Sequence, residues 1–308
     1  MKKYKIFIDG QSGTTGLQVT ERLKKHEDVS ILEIDPKDRK NPNVKKKLMK
    51  ESDITLLCLP DFAVMESVEL AKISNARVID ASSVNRTNIN WTYGLPELDL
   101  LQRNKIKESN FVSNPGCYAT GAILLIKPLI ETGFIAPDSD IKIFGASGYT
   151  GGGNAMAESY ENSESPSAFS LYGMNLNHKH IPEIEMWSGL KSRPMFLPSV
   201  VNTDQGMEVI IPLNKSQFGN SISDLGDLFA NYYKGEKLIR LSSDLIDRPF
   251  LHIEGLKNTC YCDLYFEQQD DQCLLVSKLD NLGKGASGAA VQNLNIMLGL
   301  PEHIAIHL

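Results

Sequence analysis

The sequence predicts an α/β protein in which a doubly wound parallel sheet is joined to a second, α+β domain with a mostly antiparallel sheet. Two observations predict this architecture. Up to residue 113, short apolar segments of strand type alternate with helical patterns, and this order produces a parallel sheet with helices on both faces. From Met207 onwards, apolar segments of strand type dominate, which is typical of antiparallel pairing.

The first domain is predicted from its strands and from the helices between them. A short apolar segment at residues 4–8 is followed by a glycine-rich turn and by a helical pattern over residues 17–23. The polar, turn-rich segment 80–98 is predicted to be a loop that crosses a cleft. The further strands are predicted at residues 29–34, 54–59, 77–80 and 110–113. The helix after residue 59 is predicted from an apolar stripe that consists of Phe62, Met65, Val68 and Ile73.

The second domain begins with a long apolar helix, predicted over residues 119–130. A strand at residues 140–144 leads into the glycine-dense segment 145–153, and residues 158–166 are predicted to be a loop or an irregular helix. The β-rich part has predicted strands at residues 207–213, 258–266 and 273–279 and a predicted helix at residues 223–233. A glycine-rich loop opens a further helix at the C-terminus. The predicted domains are residues 1–116, completed by this C-terminal helix, residues 285–308, and residues 117–284.

Composition excludes several classes of protein. The 308-residue chain has a net charge of −6 and no basic stripe, which argues against a nucleic-acid partner; the lysines at 45–47 are predicted to be a solvated helix face. No apolar stretch approaches the roughly 20 residues that span a bilayer, and the apolar part of the N-terminus is too short for a signal peptide. Five cysteines without framework spacing predict a reduced, cytoplasmic protein.

The segment SNPGCYAT, residues 113–120, contains the candidate nucleophile. Cys117 follows Pro115 and Gly116 at a predicted strand-to-helix turn, where unpaired backbone N–H groups and the helix dipole favour an anion. A free thiol has a pKa of about 8.5, which such surroundings lower. The alternative is a small buried residue, as most free cysteines are, but the turn residues around Cys117 favour the nucleophile.

The turn DGQSGTTG, residues 9–16, is the candidate nucleotide site. In a Rossmann-type fold, the turn between the first strand and the first helix binds a dinucleotide pyrophosphate on backbone N–H groups. Asp35, after the second strand, favours NAD, whereas Lys37, Arg39 and Lys40 could hold the 2′-phosphate of NADP. Ser82, Ser83 and Arg86 are candidates for contacts to the cofactor or to an anionic substrate, and a surface salt bridge is the alternative for Arg86.

The segment NHKHIPEI, residues 177–184, supplies a candidate general base. A histidine near a thiol can take its proton and then shuttle protons at the substrate oxygen, and Glu183 or Glu185 could orient it. His178 is explained as a surface residue more easily than His180. No metal is predicted, because the cysteines have no C-x-x-C spacing.

These segments form a recognisable set. In chain order, DGQSGTTG, YGLPEL, SNPGCYAT, GASG, NHKHIPEI and DNLGKGASGAAVQNLN resemble the N-acetyl-γ-glutamyl-phosphate reductases over nearly the whole chain, and the length resembles the shorter branch of that family. The resemblance implies a fold similar to that of aspartate-semialdehyde dehydrogenase and the phosphorylating glyceraldehyde-phosphate dehydrogenases. It implies that Cys117 is the acylated thiol and His180 the acid/base, with NADP as cofactor and NAD left open by Asp35. The expected cofactor contacts are Gly10, Ser12, Gly13, Thr14, Thr15, Gly16, Arg39, Ser82, Gly148 and Asn281.

The implied activity is the NADPH-dependent reduction of N-acetyl-L-glutamyl 5-phosphate to the 5-semialdehyde, through a cysteine thioester, in arginine biosynthesis. Two alternatives stay open. One is a related semialdehyde dehydrogenase for aspartyl phosphate or carrier-linked aminoadipyl phosphate, and the other is a non-catalytic NAD(P)-binding redox sensor. A small-molecule substrate and a homo-oligomer, dimer or tetramer, are expected, with no membrane partner. The expected substrate contacts are Arg86, Asn114, Ser147 and Tyr149.

Overall fold

A six-stranded and a seven-stranded sheet organise the chain, one in each of two units. The computed structural model describes residues 3–218, 224–242 and 250–308. Unit 1 consists of Met1–Pro115 and Ala286–Leu308, and unit 2 consists of Gly116–Gly285. Ser223, the first residue of one predicted helix, lies outside the described residues.

Unit 1 contains the alternation of strands and helices that the sequence predicts. Its elements are β1 (Tyr4–Asp9), α1 (Thr14–Lys24), β2 (Val29–Leu32), α2 (Pro42–Glu51), β3 (Ile54–Leu57), α3 (Asp61–Ser74), β4 (Val78–Asp80), β5 (Thr92–Tyr93), α4 (Gln102–Glu108) and β6 (Phe111–Ser113). All strands are parallel, in the order β2-β1-β3-β4-β6-β5. The predicted parallel sheet is thus confirmed, with β5 as an additional edge strand.

The strands of unit 1 are apolar because they lie in its core. Phe7, Leu57 and Val78 belong to one buried cluster that also includes Val64 and Val68 of α3. The predicted ends of β2 and β3 were each two residues too long. The apolar stripe predicted for α3 was wrong in most of its members, since the exposed side chains are those of Phe62, Met65 and Ile73.

A buried ion pair holds the end of β1. Asp9 is 5% exposed, and its Oδ2 lies 2.9 Å from Lys45 Nζ and accepts a 2.7 Å hydrogen bond from Ser67 Oγ. Lys45 and Ser67 come from α2 and α3, so this carboxylate joins both helices to the strand that precedes the glycine-rich turn. The prediction of a solvated face is therefore wrong for Lys45, although Lys46 and Lys47 are exposed.

Unit 2 is built around the larger sheet. Its elements are α5 (Cys117–Glu131), β7 (Lys142–Gly148), α6 (Asn154–Glu161), β8 (Phe169–Leu171), α7 (His180–Ser188), β9 (Met195–Val201), β10 (Met207–Asn214), α8 (Lys215–Phe218), α9 (Leu225–Tyr232), β11 (Ile239–Ser242), β12 (Cys262–Gln269) and β13 (Gln272–Leu279). The strand order is β11-β12-β13-β10-β7-β9-β8, and only the pairs β11–β12 and β7–β9 are parallel. The predicted mostly antiparallel sheet is therefore confirmed.

Helix α5 packs closely against this sheet. A Cβ on Gly121 would overlap Ser277 Oγ and would come within 2.9 Å of Val209 Cγ2, so the glycine lets the helix approach β10 and β13. Because side chains alternate along a strand, Val209 marks the covered face and its neighbours Glu208 and Ile210 mark the opposite face. The sequence prediction missed β8, β9 and β11, placed the start of β12 four residues too early, and allowed only an irregular helix where α6 forms.

The chain returns to unit 1 through a π-helical turn, Gly283–Ser287, and α10 (Gly288–Leu298). Across residues 3–218, 224–242 and 250–308, no helix is long and apolar enough to cross a membrane. The same residues contain no group of three metal-binding side chains.

The Asp9–Lys45 pair gives a stability prediction. Lys45→Met leaves the Asp9 carboxylate buried without its cation, and breaking a buried pair in this way costs about 3–5 kcal/mol. We expect urea unfolding to show this loss. The double variant Asp9→Asn/Lys45→Met should recover most of it, since no buried charge then remains. Lys46→Met, on the exposed neighbour, is the control, and a Lys45→Met effect no larger than the control would show that the pair does not support the fold.

Candidate active site

Cys117 is the first residue of α5, as the sequence predicts. Gly116 is the N-cap, with φ −79° and ψ 149°, and makes no side-chain cap hydrogen bond. The half-buried Cys117 therefore lies where the N–H groups of the first turn and the helix dipole favour a negative charge. This position suits a thiolate.

A buried glutamate binds the turn that carries Cys117. Glu183 is 1% exposed, and its Oε1 accepts a 2.7 Å hydrogen bond from the Gly116 N–H. Glu183 lies three residues after His180 on α7, so both side chains are on one side of that helix. The prediction that Glu183 orients His180 remains a prediction, but the carboxylate does fix the histidine helix to the residue before Cys117.

The two histidines of NHKHIPEI lie side by side. His180 is buried at the start of α7, and its backbone N–H donates to His178 Nδ1 at 3.2 Å. The ring centroids are 4.7 Å apart. His178 is half-buried and also packs against Tyr172 and Phe196, with centroids 5.7 Å and 5.0 Å away. It is therefore part of the site's packing and not a surface residue.

The segment around Gly285 also borders Cys117. A Cβ on Gly285 would lie 2.7 Å from the Cβ of Cys117, so only glycine fits beside the thiol-bearing residue. Asn281 is nearly fully buried, and both the oxygen and the nitrogen of its side-chain amide form hydrogen bonds. Its Oδ1 accepts from the Gly206 N–H at 2.9 Å, and its Nδ2 donates to Thr150 Oγ1 at 3.0 Å. These bonds give Asn281 a structural role within unit 2, and its contact with the cofactor remains a prediction.

The predicted ligand residues of GASGYTGGG lie at the end of β7. Ser147 is buried, and its hydroxyl donates to the Gly148 carbonyl at 3.0 Å. The Gly148 N–H donates to the Gly206 carbonyl, and a Cβ on Gly148 would come within 2.7 Å of the Asp204 carbonyl oxygen. Tyr149 is half-buried and stacks on Tyr160. Gly148 is thus required by chain packing, and its contact with the cofactor remains a prediction.

The glycine-rich turn in unit 1 lies between β1 and the start of α1. Gly10 has φ +94°, and a Cβ there would overlap the Cys58 carbonyl, while a Cβ on Gly16 would overlap the Gly10 carbonyl. Gly13 is the N-cap of α1. Gly10 and Gly16 are thus required by chain packing, and the binding of a pyrophosphate at the helix start remains a prediction. The side chains at this turn are Ser12, which is exposed, and Thr14 and Thr15, which are partly buried.

Asp35 is engaged close to its own position in the chain. One carboxylate oxygen accepts from the Lys37 N–H at 3.1 Å, and the other lies 3.1 Å from Lys37 Nζ. Arg39 and Lys40 follow and are exposed. Asp35, Arg39 and Lys40 are thus all exposed just beyond β2, and the Asp35 carboxylate pairs with Lys37.

Segment 80–98 is buried in large part. Ser82 donates its N–H and its hydroxyl to the carboxylate of Asp80, each at 2.8 Å. Arg86 is 8% exposed and donates from Nε to the Asn114 carbonyl at 3.0 Å. The Asn114 amide binds the Ala286 carbonyl and the side chain of Asn293. The structure thus brings Arg86 and Asn114 together within unit 1.

The other cysteines differ from Cys117 in their surroundings. Burial raises the pKa of Cys58 to about 12, and the charges of two neighbouring aspartates add to this effect. Burial also raises the pKa of Cys273 to about 11. The remaining pair, Cys260 and Cys262, is buried. Cys117 is the one cysteine at a helix start.

The chain is similar to known proteins over nearly its whole length. Residues 5–109 match the NAD binding domain of semialdehyde dehydrogenases, and residues 117–281 match their dimerisation domain. The chain is 42% identical to an N-acetyl-gamma-glutamyl-phosphate reductase from Trichormus variabilis, over 99% of this chain and 100% of that protein.

Solved structures show the same fold. An aspartate semialdehyde dehydrogenase II from Vibrio cholerae, complexed with ASA, aligns with a TM-score of 0.72 at 12% identity and covers 97% of this chain and 99% of its own. The aspartate semialdehyde dehydrogenase with NADP from Candida albicans aligns with a TM-score of 0.68 at 14% identity, over 96% of this chain and 99% of that one. The predicted fold class is confirmed.

The thiol surroundings predict selective alkylation. At pH 7.5, a thiol with the raised pKa of Cys58 or Cys273 is ionised only to a fraction of about 10⁻³ or less, and the thiolate is the reactive form. We expect iodoacetamide to modify Cys117 at least about 10-fold faster than either. Peptide mass spectrometry over a time course measures this, with Cys117→Ser as control. Equal rates at the three cysteines would contradict an activated Cys117.

Proposed function

Because the chain belongs to the semialdehyde dehydrogenase family, and within it to the N-acetyl-γ-glutamyl-phosphate reductases, we propose that it reduces N-acetyl-L-glutamyl 5-phosphate with NADPH. The products are N-acetyl-L-glutamate 5-semialdehyde and phosphate, and the reaction belongs to arginine biosynthesis. One observation supports this proposal above the others: a buried carboxylate on the helix of His180 binds the turn that carries Cys117.

Cys117 acts as the nucleophile. Its thiolate attacks the acyl carbon, the acyl–phosphate bond breaks, and phosphate leaves, so that a thioester remains on Cys117. Each tetrahedral intermediate carries an oxyanion that helix N–H groups can stabilise. Since the Gly116 N–H already donates to Glu183, this task falls to the N–H groups further along the first turn of α5.

His180 manages the proton. It protonates the oxygen of the reduced carbon or removes that proton again when the hemithioacetal collapses to the aldehyde and the Cys117 thiolate. Its ring is buried at the start of α7, and its backbone is tied to His178. The imidazole is therefore held in one place, as a general acid/base must be.

The nucleotide turn of unit 1 fits an NADP cofactor, which supplies the hydride when it is bound. Gly10, Gly13 and Gly16 allow the backbone of the turn to approach a pyrophosphate. Arg39 and Lys40 are exposed beyond β2 and can bind a 2′-phosphate, whereas Asp35 pairs with Lys37. These contacts favour NADP over NAD, and the Candida albicans neighbour was solved with NADP.

The side chains near β7 suit a neutral acetamido group. An aspartyl substrate carries an ammonium group, which needs a buried acid to meet its charge. The half-buried Tyr149 instead offers a hydroxyl group after β7, and the Ser147 oxygen, which donates to the Gly148 carbonyl, can still accept a hydrogen bond. This supports the N-acetylated substrate over aspartyl phosphate, and Arg86 and Asn114 are proposed to bind its anionic groups.

A homo-oligomer follows from the match of unit 2 to a dimerisation domain. We place the contact on the sheet face opposite α5, because cross-strand register assigns a set of exposed apolar side chains to that face. These are Phe169, Leu171, Met195, Leu197 and Leu274. A dimer or tetramer would bury this face. A cytoplasmic location agrees with five free cysteines.

The phosphate-dependent reverse reaction tests the function. We expect NADP⁺ reduction with N-acetyl-L-glutamate 5-semialdehyde, and we expect kcat/KM to exceed that for L-aspartate 4-semialdehyde. One methylene changes selectivity by about 10–200-fold, and the acetamido group should add to this. A preference for the aspartyl aldehyde would identify the related dehydrogenase, and the absence of any turnover would favour the redox sensor.

Two variants assign the chemistry within the same assay. Cys117→Ser should abolish turnover, and His180→Asn should lower kcat by about 10²–10⁴-fold, the usual contribution of a positioned acid/base. His178→Asn should do less, because His178 packs beside His180 and is not itself the proposed acid/base. Equal losses in the two histidine variants would contradict the assignment of His180.

The cofactor preference gives a separate prediction. Arg39→Ala/Lys40→Ala should raise KM for NADPH by about 10-fold or more, since one charge-assisted hydrogen bond contributes about 1.5–3 kcal/mol. KM for NADH should change little. Lys46→Ala/Lys47→Ala removes two exposed charges from α2 and is the control. A parallel change for both cofactors would show that these cations do not bind the 2′-phosphate.

A further inference from the structure

Tyr118 follows Cys117 in the chain, but its side chain is 2% exposed and packs into unit 2. We infer that Tyr118 is a positioning residue that sets the approach of His180 to Cys117. This inference rests on the proposed roles of those two residues. It adds a third residue that touches neither substrate nor cofactor and acts through its neighbours.

The hydroxyl group of Tyr118 is anchored to the sheet. It donates a 2.7 Å hydrogen bond to the carbonyl of Ser199 in β9, and Ser199 Oγ donates to the Gly145 carbonyl in β7 at 2.8 Å. Burial raises the pKa of Tyr118 well above its ordinary value, and the nearby Tyr172 and Cys117 add to this. The phenol therefore stays protonated and remains a donor over the working pH range.

The ring of Tyr118 contacts the histidine segment. Its centroid is 6.0 Å from that of His180 and 6.1 Å from that of His178, both in edge-to-face geometry. His178 in turn accepts the backbone N–H of His180. A displacement of the Tyr118 ring would therefore shift His180 both directly and through His178. It would also act on Cys117, because Tyr118 is the next residue in the chain.

Gly145 leaves no room for the ring to move towards β7. A Cβ at this position would lie 2.5 Å from Cε1 and 2.7 Å from Cδ1 of Tyr118. Phe196 packs on the ring as well, with centroids 5.2 Å apart. Since a side chain at residue 145 could be accommodated only by displacing Tyr118, this glycine provides a test that leaves the tyrosine itself intact.

The first experiment compares three variants with a matched control. Tyr118→Phe keeps the ring but loses the hydrogen bond to Ser199, and Tyr118→Leu removes the ring. Gly145→Ala keeps Tyr118 and displaces its ring. Phe229→Leu is the control, because Phe229 is also fully buried in unit 2 but stacks on Phe266. For each protein, kcat, KM, the melting temperature and the pH dependence of Cys117 alkylation are measured.

We expect Tyr118→Leu and Gly145→Ala to lower kcat by about 10–100-fold, since a displacement near 1 Å can cost about 10²-fold. KM should stay within about 3-fold, because no substrate contact is lost. Tyr118→Phe should keep most of the activity, and Phe229→Leu should lose stability without a comparable loss of kcat. Equal kcat losses in the Phe229 and Tyr118 leucine variants would reduce Tyr118 to a core residue and overturn the inference.

A double-mutant cycle separates positioning from an independent effect. If Tyr118 acts through His180, Tyr118→Leu/His180→Asn should be about as slow as His180→Asn alone, whereas independent effects would multiply. Multiplication would overturn the inference. Should Tyr118→Leu not fold, the same cycle is run with Gly145→Ala.

The proposed function and this inference can fail separately. If the wild type shows no phosphate-dependent turnover, the proposed function is rejected, and the alkylation profile still tests Tyr118. A positioning role requires that Tyr118→Leu and His180→Asn shift the midpoint of Cys117 alkylation in the same direction. An unchanged midpoint in Tyr118→Leu, with a shifted one in His180→Asn, would overturn the role of Tyr118.

Discussion

The hydrogen bond from the Gly116 N–H to Glu183 is the interaction on which the site of unit 2 depends. A carboxylate that is 1% exposed is costly to bury unless its oxygens are bound, so Glu183 fixes the position of α7 against the turn of Cys117 while that turn satisfies Glu183. Because His180 lies one helical turn before Glu183, this single carboxylate ties the helix of the candidate acid/base to the turn of the candidate nucleophile. Neither the tight turn nor the helix would achieve this alone.

The fold was predictable where local patterns decide the structure. The strands of unit 1 are continuous apolar segments because the sheet is covered on both faces, and β1, β3 and β4 were recognised for this reason. Ile34 and Leu59 are apolar but pair with no strand, so β2 and β3 end earlier than their composition indicates. In unit 2, β8 and β11 have only three and four residues. Such edge strands form through pairing with partners distant in the sequence, and a local pattern does not show that pairing.

In the candidate site, too, the features set by neighbouring residues could be predicted, and the contacts between distant residues could not. Pro115 and Gly116 identify a strand-to-helix turn, so the position of Cys117 at a helix start could be predicted from neighbouring residues. The hydrogen bond between Gly116 and Glu183 could not be predicted, since 67 positions separate the two residues in the chain. Lys45 shows the converse error. A run of three lysines is typical of a solvated face, yet one of them pairs with Asp9 from another element. The cofactor contacts expected for Gly148 and Asn281 come from family resemblance and remain predictions.

The glycine-rich segments of unit 2 show how far sequence reasoning reaches. Their density correctly indicates that the backbone passes close to something, but it does not say whether this is a ligand or the chain itself. Gly145 borders the ring of Tyr118, Gly148 borders the backbone of Asp204, and Gly285 borders Cys117. At these three positions the close neighbour is protein, and the shared consequence is that segments distant in sequence come into contact. The glycines therefore act by letting the chain pack closely, and a role of neighbouring side chains such as Ser147 and Tyr149 in binding the substrate remains a prediction.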